Sequence, residues 1–173
     1  MDGFAFVRCT CFEEHRLIGC PVPYDSLYVD GDGWLWSTAF DSPGALENDE
    51  YRRWIARPCE HPEGALFKAP LRSSSVCSEF KEAFSRAGAR PHGHVCDGYY
   101  LASDAAKARN ASVEMARSLP GDERRAFEES EALYERKGLW DCGRWYDHIA
   151  LTYVRKLAEA AIETDHPIWF HFA

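Results

Sequence analysis

Several kinds of segment are missing from this 173-residue chain. No stretch approaches 18 uninterrupted apolar residues, so no part of the sequence reads as a membrane-spanning helix. The opening Met1-Asp2-Gly3-Phe4-Ala5-Phe6-Val7 has no basic leader and no long apolar run before Arg8, which argues against a secretory signal and predicts a cytoplasmic protein. Basic residues are in the minority: 20 Lys and Arg stand against 28 Asp and Glu, giving a net charge of −8. That balance argues against phosphate-backbone binding, which needs a basic surface to release counterions. Also absent are a His-Glu-x-x-His zincin signature, a Gly-x-Ser-x-Gly elbow, a phosphate loop and a dinucleotide fingerprint. The common Cys-x-x-Cys spacing is missing too.

What is present describes a globular chain. Apolar residues make up 46% and aromatics 14%, with six tryptophans, enough for a substantial core. A chain of this length buries roughly 70% of the surface its unfolded form exposes, and the expectation is one domain over 1–173. The shift from β to α character near residue 100 marks a possible seam, with an α+β part in 1–100 and a mainly helical part with a closing strand in 101–173. Seven cysteines is an odd number, spread through a chain large enough to have a core. Free thiols or metal ligation are therefore expected over a disulfide framework.

Cys9-Thr10-Cys11 and Cys59-Glu60-His61 give that expectation a location. Two close pairs separated by a long connection, three sulfurs and one imidazole in all, form the ligand set of a tetrahedral zinc site. Pro58 and Pro62 bracket the second pair and restrict its backbone. Isolated buried cysteines are ordinary small hydrophobes, which accounts for Cys20, Cys77 and Cys142 but poorly for two close pairs. The expected cofactor is one structural zinc held by Cys9, Cys11, Cys59 and His61, tying the first strand to the end of the first helix. No catalytic set is assigned.

In chain order, residues 4–8 read as a strand; if it persists through Cys11, both thiols project from one face. Residues 27–30 and 34–37 read as a hairpin around Gly31-Asp32-Gly33. Asp30-Gly31-Asp32-Gly33 also opens like a calcium loop, but the later acidic ligands are missing. Ser42-Pro43 predicts a helix start, with the helix running through Trp54 and Ile55. Val76, Phe80, Ala83, Phe84 and Ala87 repeat at helical spacing before Gly88. Ser103-Asp104 caps a third helix, Asp122 begins a fourth that ends at Gly138, and Trp145, Ile149, Tyr153, Leu157 and Ala161 form the stripe of a fifth. Residues 168–172 close the chain as a strand. The predicted fold class is α+β, a small antiparallel sheet packed by about five helices.

Two further stretches carry chemistry. His92, His94 and Cys96 alternate and, on a strand, would share a face able to hold a catalytic metal; a metal- or thiol-dependent hydrolase is the alternative function they carry. Cys142 and His148 are six apart, which places them on different faces of a helix. Trp140, Arg144, Trp145 and Tyr146 are residue types enriched at interface hot spots. With the acidic charge they support a binding protein whose partner is a basic protein, in the manner of an immunity or antitoxin-like protein neutralising an effector, with neither nucleic acid nor membrane as partner. The ordinary roles of these residues are a surface loop and packing at a helix joint.

The stretch from Cys9 to His61 resembles a group of uncharacterised bacterial proteins. Its shared features are Cys9-Thr10-Cys11-Phe12, the strand pair around Asp30-Gly31-Asp32-Gly33, Trp54, and Cys59-Glu60-His61, followed by the Phe80 and Phe84 helix. The likeness covers about residues 7–118. Where that group carries an acidic-methionine pair after Cys-Glu-His, this chain has Pro62-Glu63-Gly64. The resemblance implies the motif and no activity.

Overall fold

The structure is a computed structural model that describes residues 3–40, 49–94, 96–141 and 146–172, without the side chains of Phe40 and residues 137–141. Five strands form one antiparallel sheet: β1 (Gly3–Arg8), β4 (Ala65–Leu71), β5 (His92–Gly93), β6 (Asp97–Tyr100) and β7 (Ile168–Phe172), in the order β4-β1-β7-β6-β5. A separate hairpin pairs β2 (Leu27–Val29) with β3 (Leu35–Ser37). The helices are α1 (Asp49–Ile55), α2 (Ser74–Arg86), α3 (Ala102–Arg117), α4 (Gly121–Asp141) and α5 (Ile149–Thr164). The α+β expectation holds in class, in helix number and in the C-terminal strand joining the sheet.

The alternation of β1 decides how the layers stack. Ala5 and Val7 face the helices, where they meet Ala69 and Leu71 of β4, Ile168 and Phe170 of β7, and the buried stripe of α5. Phe4 and Phe6 face the other way, toward Trp169, Tyr99 and Trp34 of the hairpin. A one-residue slip of β1 would exchange these two sets, so both faces fix the register. On the helix side α5 is central: it packs against α2, α3 and α4 and lies over β1, β4 and β7. Its buried residues include Ile149, Tyr153, Leu157 and Ala161, the stripe read from the sequence. Trp145, expected at the head of that stripe, lies outside the described residues, as does the Ser42-Pro43 helix start. The core on this side draws from Ala5 through Phe172, on both sides of residue 100.

Local signals set most ends. Ser73 caps α2 by accepting the Val76 N–H at 3.2 Å, and Gly88 follows the helix at φ 72°. The α3 start differs from expectation: Leu101 is the N-cap, without a side-chain bond, and Ser103 and Asp104 sit inside the first turn. β4 has no counterpart among the elements expected from the sequence; its Pro70 is tolerated since β4 is a sheet edge.

The hairpin turn is closed by the Asp30 carboxylate, which accepts the N–H groups of Asp32 (3.0 Å) and Trp34 (2.8 Å). That places the carboxylate in turn formation instead of a calcium loop. Gly33, buried at φ 84°, seats the turn against the sheet, and a Cβ there would drive into the Trp169 indole. Gly33→Ala therefore combines left-handed strain with a clash and is expected to cost about 2–4 kcal/mol, lowering the melting temperature by roughly 4–16 °C. Gly31→Ala, where a Cβ meets nothing within 4 Å, serves as the control and should leave melting almost unchanged.

Candidate metal centre

Antiparallel pairing brings the two cysteine-bearing segments together. Arg8, the last residue of β1, pairs with Ala65, the first of β4, across a register shift at Val7/Arg8. The chain leaving β1 thus lies beside the chain entering β4. The Cys9 N–H continues the contact by donating to the Gly64 carbonyl at 2.9 Å. β1 ends at Arg8 and does not persist through Cys11, the condition under which alternation would place both thiols on one face. Residues 10–16 instead coil back, with the Arg16 N–H reaching the Cys11 carbonyl at 2.7 Å and Glu14 N–H reaching Thr10 at 2.9 Å. Turning, not strand alternation, aims both thiols inward. On the other side, buried Pro58 accepts the Ile18 N–H at 2.9 Å, and the Trp54 indole N–H donates to the Ile18 carbonyl at 2.7 Å. These bonds hold the loop after α1 against the 16–20 segment. A turn at Pro62–Gly64, with Glu63 at φ 55° and Gly64 at φ 67°, then swings the chain into β4.

Cys9, Cys11, Cys59 and His61 converge so that their ligand atoms all lie within 4.8 Å of one another, and they can hold a metal ion. The three thiols are buried and the imidazole is partly exposed. The Sγ atoms of Cys9 and Cys59 are 3.7 Å apart, far from a disulfide at about 2.05 Å. Cys11 Sγ and Cys59 Sγ lie 3.4 and 3.8 Å from His61 Nδ1. A tetrahedral ion with sulfur at about 2.3 Å and nitrogen at 2.0–2.1 Å places two sulfurs about 3.8 Å apart and sulfur from nitrogen about 3.6 Å. Three of the six separations are close to the edges of such a tetrahedron, and the whole set spans no more than 4.8 Å. Burial, then the neighbouring Cys9 and Cys59 thiols, pushes the Cys11 thiol up to about 12, and burial likewise raises Cys9. An entering ion must therefore displace protons as it binds.

Arg8 completes the electrostatics and was not singled out from the sequence. Its side chain is buried, interacts with the charges of Cys9 and Cys59, and reaches Glu13 at 3.5 Å. Three thiolates around a divalent ion leave one net negative charge, and a buried guanidinium beside them opposes it. A single arginine at the end of an apolar strand gives no local signal of this role.

Among the described residues, the nearby Cys20 and His15, and the other predicted residues, do not join this centre. Cys20 donates to the Val22 carbonyl and His15 stacks on Tyr24. His92 and His94 are exposed; His92 stacks on Tyr99, while His94 Nδ1 accepts the Cys96 N–H at 3.2 Å. The strand ends at Gly93, so the shared face expected for His92, His94 and Cys96 is broken, and among the described residues they form no metal-capable cluster. Cys142, Arg144 and Trp145 lie outside the described residues, as does the side chain of Trp140. Tyr146 is partly buried, packs near Phe127 and donates its hydroxyl to Thr152 Oγ1 at 2.8 Å, the contacts of a packing residue. His148 meets Glu79, far away in sequence, at 2.6 Å.

Compared with known proteins, the chain matches no protein-family model, no curated protein and no solved structure. Among the described residues, no helix is long and apolar enough to cross a membrane.

Proposed function

We propose that the chain is a zinc-stabilised binding protein. The observation that carries the zinc is the gathering of three buried thiols and one imidazole within 4.8 Å, three of their separations being near those of a tetrahedral ion. Sulfur-rich tetrahedral ligation suits zinc, and four protein ligands leave no position for a reactive water, so the ion's role is structural. The likeness of the Cys9–His61 stretch to the bacterial group with paired Cys-x-Cys and Cys-Glu-His supports treating the four residues as one site. Elemental analysis of protein purified without an affinity tag is expected to find about one zinc per chain. Zinc below about a third of an equivalent, with melting unchanged by chelator, would overturn the assignment.

For the partner we infer a basic protein met in the cytosol, on the pattern of an immunity protein blocking an effector. The net charge of −8 supports this, since a negative field speeds encounter with a positive surface. Exposed Glu128 and Glu129 of α4 are the positions for charge reversal. Glu131 is not suitable, because it accepts from Thr152 at 2.7 Å and from Arg155 at 3.0 Å, holding α4 to α5. Pull-down at low and high salt is expected to retain a basic protein that Glu128→Lys with Glu129→Lys releases. Capture that ignores both salt and charge reversal, or no capture, sinks the partner reading. Hydrolysis at His92, His94 and Cys96 draws no support from two exposed imidazoles and a partly buried thiol that form no cluster among the described residues.

A further inference from the structure

A cavity of about 730 Å³ opens where the first turns of α2 and α5 meet Glu123 of α4. The volume falls within the roughly 300–1,000 Å³ of small-molecule sites. His148 lines it with an unusual backbone, φ 64° and ψ 18°, a left-handed conformation that costs a non-glycine residue free energy and persists only where the surroundings enforce it. Its Nδ1 is 2.6 Å from Glu79 Oε1, a mostly buried carboxylate. Its Nε2 is 3.6 Å from Glu123 Oε2, too long for a hydrogen bond. One ring nitrogen is pinned by Glu79, and the other faces Glu123 at ion-pair distance on the cavity wall. An imidazole oriented through Nδ1 by a carboxylate is the base-and-orienter half of a hydrolytic constellation.

The rest of the wall suits the same chemistry. Arg72 and the amino end of α2, at Ser73 and Ser75, favour developing negative charge. Val76, Tyr146 and Ile149 supply apolar surface. The charged groups around the imidazole are Glu79 from α2, Glu123 from α4, its neighbour Asp147, and Arg72 before α2. Burial alone would lower the His148 pKa, but the hydrogen bond and charge of Glu79, then Glu123, raise it above the ordinary 6.5. Glu79 is itself raised, by burial first, with His148 opposing.

We propose that this cavity hydrolyses small carboxylic esters, with His148 as the acid–base residue and Glu79 as the residue that positions it. Water gives a proton to His148 Nε2 as its oxygen bonds to the carbonyl carbon. The bond from that carbon to the alcohol oxygen then breaks, and the Nε2 proton passes to the departing oxygen. The products are a carboxylic acid and an alcohol, and the imidazole returns neutral. Nothing in this step uses the cysteine cluster, so it stands or falls apart from the zinc and partner readings.

The test uses the full chain with p-nitrophenyl acetate and butyrate. Turnover is expected to rise with pH along a limb centred above 6.5, because the neutral imidazole is the active form. His148→Asn, a side chain that tolerates the left-handed backbone, should lower kcat/KM by about 100-fold or more. Glu79→Gln should lower it by about tenfold and move the limb to lower pH, since the charge that raises the imidazole is gone, a shift that mere loosening would not give. Turnover no faster than equimolar free imidazole overturns the proposal, as does an unchanged rate in folded His148→Asn. If that variant fails to fold, an unmoved limb in Glu79→Gln overturns it equally.

Discussion

Cys59→Ala is expected to abolish metal binding at the proposed centre and to lower stability far more than Cys20→Ala does. Cys59 is the shared vertex of the cluster: its Sγ lies 3.7 Å from Cys9 and 3.8 Å from His61 Nδ1, and it accepts the His61 N–H at 3.4 Å. Its loss leaves two thiols and an imidazole, an open and weaker site, and frees the entry to β4 from the exit of β1. Loss of a structural metal is among the few mechanisms that exceed about 4 kcal/mol, which for a chain of this size lowers melting by roughly 8–16 °C. Cys20→Ala removes a thiol that only bonds the Val22 carbonyl, and should keep about one equivalent of metal and nearly native melting. Hydrogen exchange locates the damage: the Cys9 amide, bonded to Gly64, should exchange much faster while the α5 amides change little. Equal metal content and equal melting in the two variants would contradict the assignment.

Phe84→Ala is expected to be as destabilising without touching the metal. Phe84 is fully buried, stacks on Tyr100 with ring centroids 3.9 Å apart and planes 9° off parallel, and meets Phe80 at 5.0 Å. Truncating such a phenylalanine loses its transfer free energy and leaves a void, together about 3–5 kcal/mol, or roughly 6–20 °C in melting. The helix-side core and the thiol cluster are separate groups of buried residues, so metal content should stay at about one equivalent. A melting change under about 2 °C would mean the Phe84–Tyr100 stack is not formed as described.

The features legible in the sequence were those whose cause is local. Val76 to Gly88 spells a helix with its terminating glycine, the α5 stripe repeats at helical spacing, and residues 4–8 read as a strand. The ligand set was legible because each half is a two-residue chelate. The means of bringing the halves together was not, because the turn at residues 10–16 depends on hydrogen bonds that no residue type there announces. β4 was not legible: it carries Pro70, a residue that argues against a strand and that its edge position permits. The His148 site was invisible for a different reason. Glu79 is 69 residues away and reaches the imidazole only because α2 and α5 pack together, and nothing in Asp147-His148-Ile149 signals a left-handed backbone.

The position of β7 sets an order on the making of this protein. The strand at residues 168–172 lies between β1 and β6, so β1 has its inner neighbour only when nearly the whole described chain has been synthesised. At roughly 5–20 residues per second, the nascent chain carries β1 with that edge bare for on the order of 10–30 s. The cluster needs far less: Cys59 follows Cys9 by 50 positions, and His61 completes the set on the order of ten seconds or less after Cys9. An ion captured at that stage would clip β1 to the start of β4 long before β7 arrives, leaving β1 with one bare edge where it would have two. On the proposed zinc assignment, starving a translating cell of zinc should therefore lower the yield of folded protein more than chelating the finished protein lowers its folded fraction.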